Sequence, residues 1–133
     1  MSYGSSISLD VPFSEAVARV RAALAGQGFG VLTEIDVTAT LKAKLGEQIE
    51  DYVILGACNP PLAHRALAAD RSIGLLLPCN VVVRATPAGT LVEALDPQIM
   101  ATLTGRPELK PVADEAARRL ATALADLKES GEE

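Results

Sequence analysis

Several short segments of the chain alternate between hydrophobic and polar residues, which is the pattern of a half-buried β-strand. In residues 3–10, for example, Tyr3, Ile7 and Leu9 share the more apolar face. The pattern predicts five strands, at residues 3–10, 29–37, 52–58, 79–86 and 90–95. Between the last two lies Pro87-Ala88-Gly89, whose residue types are typical of a hairpin loop.

Two longer segments carry apolar residues at helical spacing. The first begins at Pro12, a favoured first helical residue, and ends before Gly28. The second covers about residues 109–128, with an apolar stripe from Val112 to Leu127. Shorter helices are predicted at residues 38–46, 59–69 and 97–103. The order strand, helix, four strands, helix predicts an α+β fold: an antiparallel sheet with short inserted helices and the long helices on one face.

Parts of the predicted sheet have apolar residues in unusual positions. In residues 29–37 the odd positions are expected to share one face, which places Val31 and Ile35 on the same side. Apolar residues are consecutive at Val81-Val82-Val83 and at 74–77, which predicts that both faces are dry there. Because the long helices cover one face, the short helices, a second subunit or a ligand must cover the other. We expect a homodimer, since two-fold dimers are the commonest oligomers.

Composition and charge narrow the class of protein. The 133 residues, 49% hydrophobic and 22% charged, are expected to form one domain over 1–133 with a disordered polar tail at 129–133. A net charge of −5 and only 3% aromatic residues disfavour nucleic-acid binding. No apolar stretch approaches the ~20 residues of a membrane span, and the N-terminus lacks a secretory signal. We therefore expect a cytoplasmic protein with reduced cysteines and no membrane or nucleic-acid partner.

Cys58 is the main candidate for chemistry. It ends a predicted strand and precedes Asn59, a good helix N-cap, and Pro60, a favoured first helical residue. The positive end of that helix would favour the thiolate and lower the thiol pKa, or would bind a carboxylate or phosphate ligand. Alternatively, a cysteine at the end of an apolar strand is a small buried hydrophobe without chemical function. The sequence leaves both interpretations open.

A metal site is a further possibility at these cysteines. Cys79-Asn80 repeats the Cys-Asn pair, and Cys58, Cys79 and His64 together offer soft ligands for zinc or copper. The chain contains no Cys-x-x-Cys motif, so the metal signal is weak. A Cys58–Cys79 disulfide would require Cα atoms within about 7 Å of one another.

Acidic side chains in the second strand form another candidate site. Glu34 and Asp36 project from one strand face, at about the spacing that paired acid–base chemistry uses. They are equally explained as a solvated strand face, or as partners for Lys42 and Lys44. The chain has a single histidine, which argues against hydrolase triads.

Four segments resemble the family called domain of unknown function 302: GFGVLTEID (28–36), LKAKLG (41–46), YVILGACNP (52–60) and LLPCNV (76–81). The run through Cys58-Asn59-Pro60 is the most specific, and the resemblance covers nearly the whole chain. It implies a fold similar to the TATA-binding-protein-like class, in agreement with the predicted element order. It implies no activity, cofactor or substrate. The positions that it matches to family motifs, without assigning a role, are Glu34, Asp36, Lys42, Cys58, Asn59 and Cys79.

Three functions are consistent with these patterns. The first is a non-enzymatic binding module, a dimer that holds a small molecule or metal near Cys58 and the open sheet face. The second is a structural or regulatory interaction protein that dimerises through its apolar sheet face. The third is a thiol-dependent enzyme or redox sensor that uses Cys58 with Cys79. No cofactor is identified by the sequence.

Overall fold

The computed structural model describes residues 3–131, with side chains described as far as residue 128. Its elements are β1 (Gly4–Leu9), α1 (Phe13–Gly26), β2 (Gly30–Asp36), α2 (Val37–Leu45), β3 (Tyr52–Cys58), α3 (Pro60–Ala69), a 3₁₀ helix (Arg71–Leu76), β4 (Cys79–Thr86), β5 (Gly89–Leu95), α4 (Gln98–Thr104), a second 3₁₀ helix (Pro107–Leu109) and α5 (Lys110–Gly131). Helix α5 includes residues 129–131 of the tail that was expected to be disordered, and residues 132–133 lie outside the described residues. Over residues 3–131, no helix is long and apolar enough to cross a membrane.

The five strands form one antiparallel sheet in the order β1-β5-β4-β3-β2. The predicted hairpin joins β4 and β5, with Thr86 opposite Gly89 at the turn. Because β1 and β2 are the two edge strands, α1 must cross the width of the sheet to connect them. The predicted α+β class and antiparallel sheet are confirmed.

The long helices α1 and α5 pack together on one face of the sheet. The first core lies between this face and the two helices, and burying each large aliphatic side chain there contributes about 1.5–3 kcal/mol. Its most completely buried large side chains, each no more than 1% exposed, are Val20, Leu55, Val81, Val83 and Val92. The apolar stripes that predicted the two long helices are therefore the faces through which these helices pack against the sheet.

A second core lies where α3, the 3₁₀ helices and α4 pack against the beginning of α5. Its buried members are Leu62, Ala66, Ile73, Met100, Leu109, Val112, Ala113 and Ala116. The apolar run at 74–77 was predicted to belong to the sheet, and this prediction is wrong. The run falls largely in a 3₁₀ helix that Asp70 begins, its carboxylate accepting the Ser72 N–H at 3.0 Å. In that helix Ile73 is buried and Leu75 is exposed.

Strand β2 contains an irregularity that reverses its faces. The pairing with β3 shifts between Val31, which lies opposite Ala57, and Thr33. One extra residue in a strand moves every later side chain to the other face. Val31 therefore packs against the first core, whereas Ile35 lies on the opposite face and is 49% exposed. The prediction that these two side chains share a face is wrong.

The sheet face opposite α1 and α5, which we call the open face, is not buried within the described residues. Val81 and Val83 point into the first core, with 1% and 0% exposure, whereas Val82 points to the open face and is half-buried. The consecutive valines thus alternate between the two faces of the sheet. Helices α3 and α4 pack in the second core and do not cover the open face. Side chains of the open face are Ile35, Tyr52, Ile54, Asn80, Val82, Arg84, Leu91, Glu93 and Leu95. Its coverage by a second subunit or ligand stays a prediction.

Candidate functional site

Cys58 lies at the end of β3, next to the start of α3, and is half-buried. Asn59 is the N-cap of α3, since its side-chain oxygen accepts the Leu62 N–H at 3.3 Å, and Pro60 is the first helical residue. This local arrangement is the predicted one. Asn59 is 6% exposed, so a polar side chain is buried beside the thiol to complete the helix.

A small cavity lies beside Cys58, at the junction of the two cores. Its volume is about 30 Å³. That is more than the ~10–15 Å³ that one water occupies, and far less than the ~300–1,000 Å³ of organic-ligand sites. Its lining is almost entirely apolar, and consists of Phe29, Ala57, Cys58, Asn59, Leu62, Ala63, Ala66, Leu77, Pro78, Cys79, Met100, Val112 and Ala116. The cavity can hold a small ion or one or two waters, and it is too small for an organic molecule.

Both cysteines line this cavity as free thiols. Cys79 begins β4 directly opposite Ala57, the residue before Cys58. Burial, with a smaller contribution from the nearby Cys58, raises the pKa of the Cys79 thiol from 9.0 to about 11. Cys79 therefore stays protonated at neutral pH, which makes it a poor nucleophile in the free protein.

The predicted third metal ligand is not brought to the cysteines. His64 lies on α3 but is exposed, and it does not line the cavity. Across residues 3–131, no three His, Cys, Asp or Glu side chains cluster closely enough to hold a metal ion. A third residue with sulfur in its side chain, Met100 on α4, lines the cavity instead. The hydrophobic periodicity of the sequence does not predict that Met100 lines the cavity, because this depends on how α4 packs in the tertiary structure.

The acidic candidates lie at the other end of β2, in a surface depression that Lys42 also lines. Glu34 pairs with Arg21 of α1, at 2.6 Å between Nη2 and Oε1. Asp36 is the N-cap of α2, accepting the Ala39 N–H at 2.9 Å. Both carboxylates thus have structural partners. Since Cys58 pairs with Gly30, four and six residues before them, they lie about 13 and 20 Å along the strand from it.

A polar cluster that the sequence did not reveal holds the loop between α1 and β2 against α3. The Gln27 carbonyl accepts hydrogen bonds from Arg119 Nη1 at 3.1 Å and from Asn59 Nδ2 at 3.5 Å. Glu115 holds Arg119 in place, at 2.8 Å between Oε2 and Nε. Gly28 has φ +82°, and a Cβ there would meet Asn59 and Arg119 at 3.0 and 3.1 Å. The i, i+4 spacing of Glu115 and Arg119 in the sequence indicates an ion pair on the helix, but nothing in the sequence indicates that Gln27 is the partner of Arg119.

The open face carries the other candidate site, a trough of about 520 Å³. Aromatic, amide and carboxylate groups line it together with aliphatic ones: Tyr3, Gly4, Ser5, Ser6, Tyr52, Asn80, Val82, Glu93, Ala94 and Leu95. On the same face Arg84 Nε and Glu93 Oε1 form an ion pair at 3.2 Å. Ile35, Ile54 and Val82 lie directly opposite one another on adjacent strands and form an apolar row.

Comparison with known proteins gives a family and a fold. The chain is similar to a structure described as an uncharacterized conserved DUF302 protein from Bacillus stearothermophilus, with 30% sequence identity and a TM-score of 0.87 over 94% of this chain and 98% of that one. No curated protein gives a significant match. The model of the domain of unknown function DUF302 matches residues 5–127. With nearly the whole sequence matched and the architecture shared, the chain belongs to the DUF302 family.

Proposed function

We propose that this protein is a non-enzymatic binding module that acts as a homodimer through its open face. The observation that carries the proposal is the apolar row of Ile35, Ile54 and Val82, which no element of the described chain buries. Monomeric proteins rarely expose contiguous apolar patches larger than a few hundred Å², and larger patches mark interaction sites. A second copy of the chain is the simplest partner, because two-fold dimers use the same surface on both subunits.

The charge of the open face is compatible with pairing between two copies. Arg84 and Glu93 are paired within the face, so two copies would not bring an excess of one charge together. In a two-fold arrangement the same two side chains can exchange partners across the interface.

The size of the open face predicts how strong the dimer is. Five strands and six residues along each give a flat footprint of about 400 Å², whereas each partner in a typical stable interface buries ~800 Å² of accessible surface. A corrugated surface has more accessible area than its flat projection, but the starting footprint is only about half of the typical value. We therefore expect a dimer that dissociates on dilution.

Light scattering coupled to size exclusion tests the proposal over a dilution series. The wild-type protein is expected to shift from dimer to monomer on dilution, and Val82→Glu is expected to be a monomer throughout. Leu103→Glu is the matched control, because Leu103 is 68% exposed on α4, outside the sheet. A wild type that is monomeric at every concentration, or a Val82→Glu protein as dimeric as the control, would contradict the proposal.

A second candidate function is the binding of a small organic molecule in the trough of the open face. Its volume of about 520 Å³ lies within the ~300–1,000 Å³ range of ligand sites. Tyr52, Asn80 and Glu93 supply hydrogen-bonding groups beside the apolar surface of Val82. Native mass spectrometry of the protein purified from its own source is expected to show one bound molecule per protomer. That molecule should be lost in Val82→Trp, where the larger side chain fills the trough; a ligand-free wild type would argue against this function.

Other expectations from the sequence stay predictions beside this proposal. They are a cytoplasmic location, the absence of a nucleic-acid partner, and membership of the TATA-binding-protein-like fold class. A thiol-dependent activity of Cys58 is also still open, and the pH dependence of Cys58 alkylation tests it. Cys79 gives this alternative little support, because its raised pKa keeps the thiol protonated.

A further inference from the structure

Three residues with sulfur in their side chains line one cavity, although they come from separate parts of the chain. Cys58 comes from the end of β3, Cys79 from the start of β4, and Met100 from α4. The chain has two cysteines and two methionines, and the remaining one, Met1, lies outside the described residues. Every cysteine and methionine of the described chain therefore lines this cavity.

From this convergence we propose that the cavity is a binding site for a soft monovalent metal ion, copper(I), held by the sulfur atoms of Cys58, Cys79 and Met100. Thiolate and thioether sulfur are the donors that select copper(I) in proteins, and the ion accepts few ligands. The site lies within one protomer, so it does not depend on dimerisation.

The rest of the lining excludes harder ions. Magnesium and calcium require carboxylate, carbonyl or water oxygen ligands. Apart from the three sulfur-bearing residues, the walls of this cavity are apolar except for Asn59, whose side-chain oxygen already accepts the Leu62 N–H. Zinc favours four ligands in a tetrahedron, and here it would find two thiols and no histidine, because His64 points to solvent. A volume of about 30 Å³ admits an ion without its water shell.

The three side chains differ in burial, and the difference gives a metal ion a route from solvent into the cavity. Cys79 and Met100 are 7% and 4% exposed, while Cys58 is half-buried and accessible from solvent. An incoming ion would therefore meet Cys58 first. The start of α3 lies beside Cys58, and its positive end favours the negative charge that two thiolates and one copper(I) carry together.

Loading is a ligand-exchange step without electron transfer. Each bond from copper(I) to a cysteine sulfur replaces an S–H bond, so the two thiols release two protons to solvent while copper keeps its oxidation state. Met100 donates a lone pair and releases nothing. Because protons are released, the apparent affinity is expected to rise with pH.

The test titrates copper(I) into the full-length protein without oxygen, against a coloured copper(I) chelator. The wild type is expected to bind one ion per protomer, with sulfur neighbours in its X-ray absorption spectrum. Cys58→Ser should weaken binding at least roughly 100-fold and Met100→Leu roughly 10-fold, since even indirect partners of a metal change affinity by ~10–100-fold. His64→Ala is the matched control and should bind as the wild type does.

Several results would overturn the proposal. One is a wild type that loses all copper(I) to the chelator, and another is a Cys58→Ser or Met100→Leu protein that binds as tightly as the wild type. A loss of binding in His64→Ala would also contradict it. If Cys58→Ser does not fold, which circular dichroism would show, alkylation of wild-type Cys58 replaces that arm. Bound copper(I) should then slow the alkylation, and unchanged alkylation would refute the site.

Discussion

Raising the pH from about 8 to about 10.5 is expected to destabilise the fold through the buried thiol of Cys79. Burial raises the pKa of this thiol from 9.0 in the unfolded chain to about 11 in the folded protein. The folded state therefore holds the proton more tightly than the unfolded state. The resulting stability is fully present below pH 9 and is lost as the pH rises through 11.

The expected magnitude follows from the two pKa values. A difference of about 2 units between 9.0 and 11 corresponds to about 2.7 kcal/mol at full ionisation. At about pH 10.5 roughly 2 kcal/mol of this is lost, a large part of the 5–15 kcal/mol that stabilises a typical domain.

Urea unfolding under reducing conditions, across this pH range, measures the effect. The informative quantity is the difference between the wild type and Cys79→Ala, because it isolates the contribution of this one thiol. The wild type should lose about 2 kcal/mol more than the variant does. Cys58→Ala should retain most of the wild-type loss of unfolding free energy with pH, because burial is the larger cause of the raised Cys79 pKa and Cys58 is the smaller. If the free energy of unfolding falls equally with pH in the wild type and in Cys79→Ala, the buried thiol of Cys79 is not the cause of the loss.

The remaining predictions concern stability, and urea unfolding measures each of them. Gly56→Ala should cost about 1–3 kcal/mol, because the new Cβ would overlap the Thr33 hydroxyl; no change would contradict the close strand approach there. Asn59→Ala should cost about 1 kcal/mol through loss of the helix cap, with Asn59→Asp retaining more stability than Asn59→Ala. Val83→Ala should lower the free energy of unfolding by about 2 kcal/mol, and Val82→Ala should lower it by less than about 1 kcal/mol in the monomer. The reverse order would mean that the faces of β4 are wrongly assigned.

The elements of the fold were predictable because their signals are local. The strand at Tyr52–Cys58 has the predicted bounds, and Asn59 and Pro60 begin α3 as their residue types indicate. Both features depend only on neighbouring residues: alternation along a strand, and the chemistry of a helix N-terminus. The same holds for the two long helices, whose apolar stripes are visible in the sequence.

Features that depend on pairing between distant segments could not be predicted in the same way. The bulge in β2 places Val31 and Ile35 on opposite faces, and no residue type near them identifies it. The run at 74–77 is as apolar as a strand, but Asp70 begins a helical turn before it. For the candidate site, the Cys58 environment was predicted, whereas its approach to Cys79 and Met100 depends on β3–β4 pairing and on the packing of α4.

The cavity at Cys58 does not by itself distinguish a site from a packing defect. At about 24 cal/mol per Å³, an empty volume of about 30 Å³ costs only about 0.7 kcal/mol, which a fold of this size easily tolerates. The identity of the lining is more informative than the volume. A defect needs no particular side chains, whereas here all the described cysteine and methionine residues line one space, and only Cys58 among them is not buried. If copper(I) does not bind there, Cys58 and Cys79 are adequately explained as small apolar residues at the junction of two cores, and the open face then carries the function of this protein.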